Sequence, residues 1–580
     1  MHPCFTLGLG LTLGVLAISP AAAVDYFWTN TNGGAYDEPS NWTPFSPPAT
    51  QGPGGASDTV NFDLGVSATT PYFVSDMGRE NSQLIVHNDS LLLSVFVNHR
   101  LSSTGGANPS VIVGAATGDD AFASFFGGTS TLDTQVVRIA NAASSAGSVR
   151  IDNLEWNSTN FRVGYAGDGV LTMDSDATLN STNASLAHLT GSTGHAVAQG
   201  TWNISDTLVV GRQGAGYLEV SSGGLLTSNT SIIGDRATGA GEAFVNSTWI
   251  TNGALTIGDS GRGQLLVTTT FGNVSSGDAY LGRLPGSSGT VVVGHGTWTT
   301  QGRLSIGGDS TTNSPGGEGL VEITGGLVTA AYDITLFPAG QISLLGGSLD
   351  APIMELQPGA IFDWAGGQLT VDTFNGSLSN PGGIFAAREG SNSVLVSGEY
   401  SQGPVGVLKI GIHGPAANHE FDSVIVGNTA FLGGTLEVEL ADGFLPAADE
   451  TYVILDALNL GAGSFSNAAN GERLFLDFSR GSFIVNYGAE SLFDPSQVVL
   501  SDFQPAATGD FDFDGDVDGR DFLLWQRGET FNPLSAADLA AWQENYGAPP
   551  LAAVVAPLPE PHGVALIVTA LLTIARRRRA

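Results

Sequence analysis

LVVGRQGAGYLEV at 208–220 and LTIGDSGRGQLLV at 255–267 are two copies of one phrase. Each is an apolar strand ending in Gly, a few turn residues with a second Gly, and another apolar strand. Looser copies stand at 111–125, 161–173, 231–245 and 279–293, and LSIGGDS at 304–310 leads into GEGLVEI at 317–323. Aligned on the first Gly, the marker positions are Gly114, Ala140, Gly164, Ala187, Gly211, Gly234, Gly258, Gly282 and Gly307. Their spacings are 26, 24, 23, 24, 23, 24, 24 and 25. A fixed period of this size is the mark of a repeat architecture. A period near 24 fits one coil of a parallel β-helix, with alternating apolar positions for the strands and Gly, Asn and Asp for the corners. Leucine-rich repeats share the period, but their L-x-x-L-x-L framework is missing. A propeller needs blades of about 40–45 residues, and a doubled period is visible in the tryptophans.

Stacking the coils predicts two ladders. The residue after the marker is Arg212, Asp235, Asp259 and Arg283 in successive coils, which sets Arg212 beside Asp235 and Asp259 beside Arg283. Exposed pairs of this kind contribute about 0–1 kcal/mol each. Trp156, Trp202, Trp249 and Trp298 sit eight or nine residues before their markers, in every second coil, with Leu225 and Asn273 at the matching intervening positions. Two readings stand: core packing, or an exposed aromatic track in contact with polysaccharide.

The repeat resembles the autotransporter-associated β-strand repeats of bacterial surface proteins, over roughly 105–400. That resemblance implies a rod of stacked coils with a cap at each end. W…GG…NW…P…D-x-V-x-F within 25–64 resembles the segment that opens such repeats, so 24–105 is expected to be an N-terminal β cap and 106–400 the β-helix. Short alternating strands at 401–503 resemble the closing module of these proteins, expected as a β-sandwich-like fold or a continuing roll. The fold class is therefore mainly β.

The chain has 580 residues, a formal net charge of −35, 80 glycines and a single lysine, Lys409. No basic face is expected for nucleic acid, whose phosphates demand one. Apolar residues make up 42%, too many for a disordered chain. The only cysteine, Cys4, falls in 1–23, an apolar stretch ending Ala21-Ala22-Ala23 that reads as a signal peptide. The mature chain then has no disulfide and no Cys nucleophile. Ten N-x-S/T triplets, Asn157, Asn180 and Asn203 among them, are largely what so much Asn, Ser and Thr produces by chance.

The sharpest chemical motif is DFDFDGDVDGRD at 510–521. Calcium is a hard cation that takes six to eight oxygens, and a 12-residue loop offers them at positions 1, 3, 5, 7, 9 and 12 with Gly at 6. Here these are Asp510, Asp512, Asp514, the carbonyl of Asp516, Asp518 and Asp521, with Gly515 at the turn. Asp at position 12 resembles the dockerin type I loop, and 504–547 is expected to be a small helical module of that kind. DFLLWQRG is echoed by DLAAWQENYG, with Asp521/Asp538 and Trp525/Trp542 each 17 apart. The second copy lacks the loop carboxylates, so one Ca2+ is expected. Gly519 and Arg520 stand where dockerins carry cohesin-contacting residues, often hydroxylated, which puts a cohesin partner in doubt.

After a linker at 548–558, Pro559, Glu560 and Pro561 precede thirteen apolar residues (563–575) and Arg576, Arg577, Arg578 and Arg579. Tripeptide, apolar run and basic end resemble a PEP-CTERM sorting signal. The resemblance implies a short transmembrane segment, recognition by an exosortase-type protease, and delivery to the cell surface or an exopolysaccharide matrix. Contact with the membrane is expected through this tail alone, before processing. No GxSxG or HExxH occurs, and His188, His195 and His295 are isolated in the sequence. The expected function is a secreted structural or adhesive matrix protein that is not an enzyme. The alternative is a β-helix that binds or degrades polysaccharide through paired carboxylates.

Overall fold

The computed structural model describes residues 23–547 apart from 45–52, 54, 67–70, 76–79, 104–108, 222, 389, 477–479, 506–507, 513–515 and 531–532. Residues 1–22 of the expected 1–23 signal segment, the linker 548–558, the sorting tail 559–580, and Asp514 and Gly515 of the acidic loop lie outside the described residues. No helix among the described residues is long and apolar enough to cross a membrane. The protein is mainly β, a parallel solenoid of about 15 turns with about 24 residues per turn. It divides into two compact units, 1–389 with 394–398, and 390–393 with 399–580.

In the first unit, as far as Trp364, coils contribute one strand to a 14-stranded sheet and a bent stretch to a second sheet. Ala215–Val220, for example, lies in the first sheet, and Leu225–Ile233 in the second. Ala240–Val245 then returns to the first sheet in parallel register, Gly216 opposite Gly241 and Leu218 opposite Ala243. Alternation along each strand turns Leu218 and Val220 inward, then Ala243 and Val245, then Leu265 and Val267, all fully buried. A coil covers these side chains by contact with the coils on either side, so burial comes from stacking.

All nine marker positions take a left-handed backbone, with φ between +55° and +78°. Glycine adopts this conformation without a Cβ clash, which is why the phrase marks its corner with Gly. Ala140 and Ala187 adopt it too, both at +55°. The second Gly of the phrase has a different cause. At Gly216 a Cβ would lie 2.2 Å from the backbone nitrogen of Gly211, the corner just made by the same coil. Corner and strand pack backbone on backbone, and no side chain fits between them.

Parallel stacking starts earlier than the 106–400 expected for the β-helix. Thr59–Phe62 pairs in parallel with Gln83–Val86, and that strand with Val111–Val113. His87 follows the second of these strands where later coils have Gly, so these coils lack the marker that reveals the others. At the start, Asp25–Trp28 lies parallel to Thr59–Phe62 and antiparallel to Trp42–Thr43. Trp28 and Trp42 meet edge to face at 5.0 Å, both 2% exposed. After Gly307 the period breaks, because a small antiparallel hairpin, Gly308–Asp309 with Ser314–Pro315, is inserted.

In the second unit, Val407–Ile412 pairs in parallel with Thr435–Leu440, and Ser423–Phe431 with Tyr452–Leu460. The pairing then becomes antiparallel, Tyr452–Leu460 with Gln497–Gln504 and that strand with Ser482–Tyr487. Two helices follow, α1 (Gly519–Arg527) and α2 (Ala536–Asn545).

Candidate functional site

The acidic loop leads into α1, and one carboxylate organises both. Asp521 is fully buried, and its Oδ1 accepts the backbone N–H groups of Phe511 (2.5 Å) and Asp512 (3.1 Å). Its Oδ2 accepts the N–H of Asp518 at 2.7 Å. Asp518 in turn accepts the N–H of Arg520, so the two acids form a capping box at the start of α1. α2 braces the loop from outside: Trp542 donates its indole N–H to the carbonyl of Asp518 at 2.7 Å, and Gly547 donates its N–H to that of Val517 at 2.8 Å. Phe522 packs against Trp542 at 4.8 Å. The duplicated half that lacks the loop thus serves as its support.

Carboxylate oxygens of Asp510, Asp512 and Asp521 lie within 4.8 Å of one another, as do those of Asp516, Asp518 and Asp521. Asp510 is 5% exposed. Like charges gathered this closely, two of them buried, repel unless a cation sits among them. The donor set is all oxygen, which suits a hard divalent ion.

The tryptophan ladder is where the polysaccharide reading fails. Trp156, Trp202, Trp249 and Trp298 are all 0% exposed and cannot touch a glycan. They point into the coil interior, where Trp156 meets Phe125 at 4.7 Å and Phe161 at 5.4 Å. Their partners in intervening coils also differ from those expected: Trp202 stands opposite Leu226, and Trp249 opposite Val274. Leu225 and Asn273, the residues reached by counting, belong to the outward column. Counting back from the marker fails because both Trp coils carry one residue more than their neighbours: Thr201–Val210 has a register shift between Ile204 and Thr207, and Thr251 to Leu255 is one step longer than the stretches it pairs with. A slip of one residue reverses the face.

The outer face of the same strands carries an amide ladder. Asn157 donates to Asp133 (2.9 Å), Asn180 to Asn157 (2.8 Å), Asn203 to Asn180 (2.9 Å), and Thr227 to Asn203 (2.9 Å). Three of the N-x-S/T asparagines therefore hold neighbouring coils in register. With Ser158, Ser181 and Asn229 they line a shallow polar groove.

The corner ladder forms as the alignment implies. Arg212 lies 3.7 Å from Asp235, and Arg283 lies 3.0 Å from Asp259 and 3.4 Å from Asp309. Burial pushes the Asp259 carboxyl up, Arg283 opposes this, and Asp235 adds to it. Sequence reasoning stopped at Arg212 and missed the coils before it. There the corner column reads Tyr165 and His188, and two residues before their markers stand Arg138 and Arg162, cross-strand partners of each other. The signal was present in the alignment, two columns on either side of the marker. No protein-family model matches this chain, and no curated protein matches it.

Proposed function

We propose that this chain is a secreted structural or adhesive protein of a cell surface or extracellular matrix, sorted by an exosortase-type system, and that it is not an enzyme. The observation that carries the reading is the stack of side-chain ladders on the coils. Amides recur from coil to coil at one strand spacing, about 4.8 Å, and ion pairs bridge successive corners, so the coils offer a surface of repeated polar groups. The apolar leader at 1–23 and the Pro559-Glu560-Pro561 tail support export and sorting. The reading includes one Ca2+ held by Asp510, Asp512, Asp514, Asp516, Asp518 and Asp521, which offsets part of the loop's negative charge and locks it to α1 and α2.

The test is fractionation in a host that carries an exosortase-type protease. The chain is expected at the surface or in the matrix without its C-terminal tail, and a Pro559→Ala/Glu560→Ala variant is expected to stay with the membrane. Identical behaviour of the two would overturn the sorting reading.

A further inference from the structure

Arg138 and Arg162 come from successive coils, 24 residues apart, and Arg212 from the coil two further on; they meet at one corner of the first unit. Tyr165 and His188 lie among them with their rings stacked at 5.1 Å. The Arg138 guanidinium sits 4.1 Å from the centre of the Tyr165 ring, and that of Arg162 sits 5.6 Å away. Arg212 donates to Nε2 of His188 at 2.7 Å. The Nδ1 of His188 lies 2.9 Å from the hydroxyl of Ser185. An imidazole that accepts at Nε2 carries its proton at Nδ1 and is neutral. His188 is therefore a spacer here and adds no charge. Burial holds it down to about 3, followed by the charges of Arg162, Arg212 and Arg138.

The charge balance at this corner is the reverse of the molecule's. The chain carries −35 overall; Arg212 reaches Asp235, and the arginines of the later corners are paired with Asp235, Asp259, Asp309 and Asp333. Arg162 has no carboxylate partner among the described residues. Burial first, then its neighbour Arg138, presses its ionisation down. Like charges held side by side cost stability, as i,i+4 pairs of like charge do on a helix. Stacked coils could have placed an Asp at this corner, as the coil after Arg212 does with Asp235. A cost of this kind is typical of a binding site.

We propose that this corner binds the carboxylate of a sparsely charged acidic glycan, with Arg162 and Arg138 on the anion and the Asn157–Asn180–Asn203 ladder on neighbouring hydroxyls. Guanidinium groups suit a carboxylate because their planar forks match its two oxygens. The amide ladder starts five residues upstream of Arg162 on the same strand, Glu155–Val163, and continues on the next two strands of the sheet, Thr178–Leu186 and Thr201–Val210. A dense polyanion is disfavoured, because the rest of the surface is acidic and repels it. A chain with isolated carboxylates meets the arginine corner and escapes most of that repulsion. Naming a glycan rests on the matrix reading above; the anion site itself does not.

The experiment measures retention of the purified full chain on pectins of graded methyl-esterification, with heparin as a densely charged control and free galacturonate as competitor. Binding is expected to be best at intermediate esterification, and weak on fully esterified pectin and on heparin. Arg162→Gln should weaken it by roughly tenfold or more, the effect of losing a hydrogen bond to a charged group. Arg283→Gln, which removes the same charge from a paired corner, should leave it within about twofold. Arg162→Gln should also leave the melting temperature unchanged or raise it, which separates lost binding from lost folding. Equal retention of Arg162→Gln and the wild type, retention that ignores esterification, or no retention on any pectin overturns the inference. The surface reading is then untouched, since fractionation decides it separately. Displacement of the pectin by free galacturonate at equal carboxylate concentration would support the anion site and overturn the glycan ladder.

Discussion

A coil of the solenoid and the helical pair at the end of the second unit are stabilised in contrasting ways. The coil strands alternate fully buried side chains against both neighbours, with Trp202 over Leu179 on one side and under Leu226 on the other. In α1 the sole buried residue is the charged Asp521, and α2 has none. Stability in the coils is spread over many equivalent contacts, so one lost pair is diluted among its neighbours. In the helical pair it converges on one acidic loop, and the ion proposed there becomes decisive. A repeat tolerates local defects; a single-site module does not.

The largest expected effect tests whether the coils depend on their interior rings. Trp202→Ala should cost about 3–5 kcal/mol, read by denaturant unfolding. Trp202→Leu, which continues the column of Leu179 and Leu226, should cost clearly less. A loss below about 1 kcal/mol for the alanine variant would show that the coils repack freely.

His99 extends the comparison to pH. It is 1% exposed beside Tyr36, and burial pushes it down from 6.5 to about 3. With a depressed folded-state value, its contribution is complete above about pH 6.5 and falls as pH drops toward 3, at up to about 1.4 kcal/mol per pH unit. His99→Phe should flatten that part of the stability curve. A wild-type curve level between pH 6 and 4 would remove the buried imidazole as its cause.

Calcium should divide the two regions. At a hundredfold excess over its dissociation constant a ligand adds about 2.7 kcal/mol, and here it should act on the helical pair alone. Limited proteolysis is expected to cut 504–547 after chelation and leave the coils intact, and Asp521→Asn should mimic chelation. Protection that ignores calcium would sink the ion assignment.

The smallest effect belongs to the corner ladder. Arg283→Gln should change stability by about 0–1 kcal/mol, despite contacts with both Asp259 and Asp309. A loss of several kcal/mol would mean that these pairs are desolvated far more than their exposure suggests.

The coil period, the corner positions and the acidic loop were readable because they depend on local chemistry. A left-handed corner favours glycine, which stands at seven of the nine markers, and the proposed ligand loop carries its own 12-residue spacing. Acidity and the near absence of cysteine are likewise properties of the chain itself. What the sequence did not settle depends on register between coils. One extra residue in Thr201–Val210 decides that Leu226, not Leu225, faces Trp202, and so which side of the sheet is core. The arginine corner forms only when residues about 24 positions apart are stacked one strand spacing from each other. Periodicity established that the coils repeat. Tertiary packing alone decided which faces they turn inward, because a β-strand has two sides and a shift of one residue exchanges them.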